Sequence, residues 1–80
     1  MEASELKQIV LDEISQQLEV PVESLSLNEQ KSAIPQWDSF SHLNIILGLQ
    51  KKFSIKFSVD EVQSDFTISE LIQMIESKQS

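Results

Sequence analysis

The sequence predicts an all-α domain of four helices, with a long loop between the first two and a short third helix. Three observations predict it. Apolar residues recur at helical spacing in three segments. Capping residues stand at the start of the last three predicted helices. The one stretch with strand-like alternation, Phe53 to Phe57, has no second strand to pair with, and an unpaired strand is not stable.

The first helix is expected at about Ser4 to Leu18. Leu6, Val10, Ile14 and Leu18 form its apolar stripe, which Ile9 and Leu11 widen, while Lys7, Gln8, Asp12, Glu13, Gln16 and Gln17 fill the other faces. Pro21 follows where a helix stop is expected. From Glu19 to Trp37 the period is lost. Scattered apolar residues (Val20, Val22, Leu25, Leu27, Ile34) suggest a loop packed against the body, with one short helical turn near Val22 to Leu25. Loops of this length inside small domains are often functional.

The second helix is expected at Ser39 to Phe53. Asp38 is its natural N-cap, and Lys51 and Lys52 lie in the last turn, where the helix dipole favours positive charge. Phe40, Leu43, Ile46, Leu47 and Phe53 read as its buried stripe, broadened by Ile45 and Leu49. Gly48 in mid-helix costs about 1 kcal/mol relative to alanine, so either a close helix crossing or chance explains it. Phe53, Ile55 and Phe57 read as an extended connection with side chains turned to the core. Ser58-Val59-Asp60-Glu61 and Thr67-Ile68-Ser69-Glu70 are capping boxes, opening helices at about residues 58–63 and 67–77. The last presents Ile68, Leu71, Ile72 and Ile75 inward.

All 80 residues are expected to form one domain. The 13 acidic residues outnumber 6 lysines, arginine is absent, and the net charge is −7. Such a surface repels phosphate backbones, which argues against nucleic acid as a partner. It suits either a soluble monomer or attraction to basic partner surfaces. Without cysteine, neither disulfides nor thiolate–metal sites can brace the fold. The N-terminus is acidic and lacks the apolar run of a secretory signal, and the apolar cluster Leu43 to Leu49 is too short to span a bilayer. A cytoplasmic location without membrane insertion is the expectation.

Catalytic chemistry has little to build on. Asp38, Ser39 and His42 contain the residue types of a hydrolytic triad. Yet they lie within five positions, with no scaffold to orient a base or form an oxyanion hole. His42 reads instead as a polar residue on the exposed flank of the second helix. With one histidine and scattered carboxylates, no metal site is expected. No enzymatic activity is assigned.

Asp38-Ser39-Phe40 alone is an N-capping sequence, and such a tripeptide arises by chance in about one chain of this length in twenty. Its context is more specific. The stretch Trp37-Asp38-Ser39-Phe40-Ser41-His42-Leu43-Asn44-Ile45-Ile46-Leu47-Gly48-Leu49 resembles the phosphopantetheine attachment region of acyl carrier proteins, whose motif is Asp-Ser-Leu followed by an apolar helix. The resemblance covers about residues 4–77 and implies the four-helix bundle of that family. It implies that Ser39 receives 4'-phosphopantetheine from coenzyme A through a separate phosphopantetheinyl transferase. Asp38 would help dock that transferase, with Phe40 anchoring the helix end in the core. The arm would hold acyl groups as thioesters for a loading ligase or transferase and for downstream acyl-using enzymes, with Phe40, Trp37, His42 and Asn44 as partner contacts. Trp37 fits equally a loop residue folded onto the second helix. Leu43, Ile46, Leu47 and Val62 would line an apolar gap for cargo, or else plain core.

Two departures qualify the resemblance. Phe40 stands where the family has leucine. The second helix carries Ser41, His42, Asn44, Gln50, Lys51 and Lys52 where carriers of fatty acid synthesis are rich in acids, which favours a carrier dedicated to its own lipid or polyketide pathway. Pro35-Gln36-Trp37 replaces the Gly-Gly that often precedes the serine of peptidyl carriers, favouring acyl over aminoacyl cargo. A helical binding module without prosthetic group is the alternative of a different class.

Overall fold

A computed structural model describes residues 3–79. It is mostly helical: α1 (Ala3–Leu18), α2 (Ser39–Phe53), α3 (Val59–Gln63) and α4 (Ile68–Gln79), with short 3₁₀ turns at Val22–Ser24 and Lys31–Ala33 and no strands among the described residues. No helix among them is long and apolar enough to cross a membrane.

The helix starts follow their capping chemistry. Asp38 Oδ1 accepts the Ser41 N–H at 2.8 Å. In the Ser58 box, Glu61 N–H donates to Ser58 Oγ at 3.1 Å and Ser58 N–H to Glu61 Oε1 at 2.8 Å. The Thr67 box repeats this, with Glu70 N–H donating to Thr67 Oγ1 at 3.1 Å and Thr67 N–H to Glu70 Oε1 at 2.8 Å. Both helices begin one residue after these caps, because a capping residue keeps extended dihedrals outside the helix. The helix ends are less regular. Glu19 (φ 57°) and Ser54 (φ 54°) adopt the left-handed conformation in which glycine is the usual residue. The last helix runs to Gln79, beyond the expected end near residue 77. Gln79 Nε2 donates to the Phe53 carbonyl at 2.8 Å and so secures that last turn against the end of α2.

One apolar cluster joins these elements. Leu6, Val10, Ile14 and Leu18 enter it from α1, Ile34 and Trp37 from the loop, and Ile45, Leu49 and Phe53 from α2. Phe66, Ile68, Leu71, Ile72 and Ile75 complete it from the C-terminal segment. Ile55 and Phe57 pack against it from the connection after α2, the inward placement that their alternation with Ser54 and Lys56 suggests. By contrast, α3 contributes no buried residue. The long loop is held down where Lys31 N–H bonds the Phe66 carbonyl at 3.0 Å and Ser69 N–H bonds the Leu27 carbonyl at 2.9 Å, around an isolated antiparallel bridge between Gln30 and Thr67.

The glycine in α2 is explained by a close crossing. Glu13 of α1 is only 4% exposed, and its carboxylate lies against Gly48. Gln17 Nε2 donates to it at 3.0 Å and Lys52 Nζ pairs with it at 3.4 Å. A methyl group at position 48 would overlap Glu13 Oε2 and lie 2.8 Å from its Cδ. Gly48→Ala should therefore gain about 1 kcal/mol of helix propensity only when the carboxylate is gone. In urea melts it is expected to stabilise a Glu13→Ala chain by that amount and to be neutral or destabilising in the wild type. Equal effects in both backgrounds would contradict the crossing.

Candidate functional site

Ser39 is the first residue of α2 and is exposed. Its neighbour Asp38 is the N-cap, with its carboxylate on the Ser41 N–H and its carbonyl accepting the His42 N–H at 2.9 Å. The Ser41 N–H, then the Ser41 side chain, hold the Asp38 carboxyl below its ordinary value of 3.8, so the cap stays ionised at neutral pH. Ser39 borders a shallow depression of about 140 Å³, lined also by Lys31, Trp37, Asp38 and His42. The positive end of the α2 dipole lies at the serine, a position suited to an anion, and Lys31, whose ammonium sits 5.5 Å from the centroid of the Phe66 ring, lines the same depression. Lys31 comes from the second 3₁₀ turn, and neither that turn nor its approach to Ser39 has a signature in the local pattern.

Three expectations are corrected here. Phe40 does not anchor the helix end: it is 76% exposed. The buried stripe of α2 is Ile45, Ile46, Leu49 and Phe53, and continuing it one turn back leads to position 42. Phe40, Leu43 and Leu47 share the opposite side, where Leu43 is 55% and Leu47 54% exposed. Since α2 is apolar on both sides, periodicity alone did not separate the stripes. For the same reason the four gap residues do not line one enclosed space, since Ile46 is buried, Val62 half-buried, and the two leucines open to solvent.

His42 is the second correction. Rather than lying on an exposed flank, it is half-buried at the polar end of the inner stripe. Trp37 Nε1 donates to its Nδ1 at 2.9 Å, and its Nε2 lies 2.7 Å from the Val62 carbonyl of α3. Both ring nitrogens are thereby engaged and neither is left to take a proton from Ser39. The Ser39–His42–Asp38 grouping has no hydrogen-bonded relay.

Trp37 is the third. Only 9% exposed, it packs edge-to-face on Phe66 with ring centroids 6.1 Å apart. It is the loop residue folded into the core rather than a partner contact. Asn44 is half-buried. What faces solvent beside Ser39 is therefore an apolar row of Phe40, Leu43 and Leu47, with Val59 of α3 also 70% exposed. Unburied apolar groups in a row mark interaction surfaces more often than single exposed leucines do.

Comparison with protein-family models, with curated proteins and with solved structures found no match to this chain.

Proposed function

We propose that the chain is an acyl carrier that receives phosphopantetheine on Ser39. The observation that carries this reading is an exposed serine at the first position of α2, beside an Asp38 cap and Lys31, at the head of a solvent-facing apolar row. The Asp-Ser-Phe motif and the order of helices support it through their resemblance to acyl carriers.

In the loading step the Ser39 hydroxyl oxygen attacks the coenzyme A phosphorus that bears the pantetheine arm. A serine–phosphate bond forms, the bond to the adenosine bisphosphate breaks, and the hydroxyl proton passes to a base on the transferase. The product phosphodiester would lie at the positive end of the α2 dipole, in the depression that Lys31 also lines. When bound, the arm supplies a terminal thiol that carries acyl groups as thioesters. The protein contributes position and recognition: the serine is held at a capped helix end, and the apolar row on the same helix docks the enzymes that load and use it. A tether of this kind raises the local concentration of cargo at each active site in turn.

The test is incubation with coenzyme A, magnesium and a broad-specificity phosphopantetheinyl transferase. One phosphopantetheine should be gained by the folded wild type, and none with several transferases would contradict the carrier reading. The apolar row makes a second prediction. Phe40→Ser with Leu47→Ser should lower kcat/KM for loading about tenfold or more, as exposed interface anchors do. The melting transition should not fall, because neither side chain is buried. Unchanged loading kinetics would remove the row from the docking surface.

A further inference from the structure

The third helix has polar ties to the rest of the fold. It buries no residue, and its capping box is internal. Among the described residues two polar links reach outward: Lys78 Nζ of α4 to Glu61 Oε1 at 2.9 Å, and His42 of α2 to the Val62 carbonyl at 2.7 Å. The second continues through the imidazole ring to Trp37, next to Asp38 and Ser39. A carbonyl only accepts and an indole N–H only donates. The one imidazole form that serves both is neutral, with its proton on Nε2 and a lone pair on Nδ1.

A second proton would go to Nδ1 and set N–H against N–H. The ring would keep the Val62 carbonyl, to which a charged donor bonds more strongly, and lose Trp37. The indole N–H of a residue 9% exposed would then need another acceptor.

We propose that His42 is a proton-operated latch beside the Ser39 turn: neutral, it ties Trp37 to α3, and protonated, it lets Trp37 go. The direction of its titration agrees. Burial of the ring, together with the Lys31 charge, holds His42 below its ordinary value of 6.5, against the opposing pull of the Val62 carbonyl. The folded state therefore binds fewer protons than the unfolded one. The stability His42 gives is complete above about pH 6.5 and is lost as pH falls through the lowered folded value.

Other charged groups lie on the elements around His42. Asp38 is held below 3.8 and spends its carboxylate on Ser41. On α3, Glu61 is held below 4.5, chiefly by Lys78. Its neighbour Asp60, Asp65 (which accepts from Ser32 Oγ at 3.0 Å), Glu70 on α4 and Lys31 of the loop are the other charged groups on these elements. His42 is the chain's only histidine and Trp37 its only tryptophan, so each gives a single unambiguous signal.

The test is solution NMR of the full chain from about pH 7.5 to about pH 5, following the Trp37 indole N–H, the His42 ring nitrogens and the α4 backbone amides. Protection of the indole N–H from exchange should fall about tenfold or more on acidification, while Leu71 and Ile75 amides keep theirs. His42→Asn places a non-titrating acceptor near the Nδ1 position and should flatten the profile. In His42→Leu the indole should be weakly protected at every pH. Constant protection in the wild type, or an unchanged profile in His42→Asn, would overturn the latch. Should the variants not fold, the wild-type ring signals decide: an Nε2–H tautomer at neutral pH supports it and an Nδ1–H tautomer overturns it. The latch rests on the fold alone, so it can fail with Ser39 loading intact, and the reverse.

Discussion

Ser39→Ala is expected to abolish phosphopantetheine loading completely while leaving stability within about 0.5 kcal/mol of the wild type. The residue is exposed and its hydroxyl makes no hydrogen bond among the described residues. Ser41→Ala, two residues on, keeps the backbone N–H that Asp38 caps and should load normally. Intact mass after transferase treatment, paired with a urea melt, checks all three chains. An adduct on Ser39→Ala would move the attachment site elsewhere. A lost adduct together with a lost fold would show that Ser39 carries a structural load absent from its surroundings. A binding module without a prosthetic group predicts that partner capture by Ser39→Ala is undiminished.

The second large effect concerns the core. Leu71 is fully buried where α4 meets the rest of the apolar cluster. Leu71→Ala should cost about 2–5 kcal/mol, the transfer loss plus the cavity left behind. A domain of 80 residues buries a modest share of its surface and holds a total of about 5–15 kcal/mol. Such a loss should lower the urea midpoint sharply and leave a measurable unfolded fraction in buffer. The matched control is Leu47→Ala, the same chemical change at a side chain that is 54% exposed, which should stay within about 0.5 kcal/mol. Similar losses at both positions would mean that the row from Phe40 to Leu47 is core and not surface. The docking role proposed for it would fall with that result.

What could be read in the sequence was local, and what could not was long-range. Asp38, Ser58 with Glu61, and Thr67 with Glu70 announce helix starts because a cap and its partner lie within three residues. The α1 stripe was legible because its outer faces are polar, with Glu13 as the exception. That residue looks like an ordinary surface acid until Gly48 and Lys52 come across from α2 to shape and neutralise its site. In α2 two apolar rows compete, and only the packing partners decide that Ile45 and Leu49 go inward while Phe40 and Leu43 stay out. Pairing determined the rest. Trp37 could be core or contact until Phe66 and His42 met it, and His42 could be a surface residue until Val62 of the third helix supplied its second bond. The candidate serine itself was visible in the motif, whereas the nearby Lys31 was not, because the loop delivers it from outside any pattern.

The central claim is that Ser39 is a phosphopantetheine acceptor, and locating the modification within the chain tests it most directly. Wild-type protein treated with coenzyme A, magnesium and transferase would be cut after lysine, releasing the segment from Ser32 to Lys51 that contains Ser32, Ser39 and Ser41. Fragmentation mass spectrometry of that segment should place one phosphopantetheine on Ser39 and leave the other serines bare. An unmodified segment from folded protein, or an adduct on any other serine, would contradict the account.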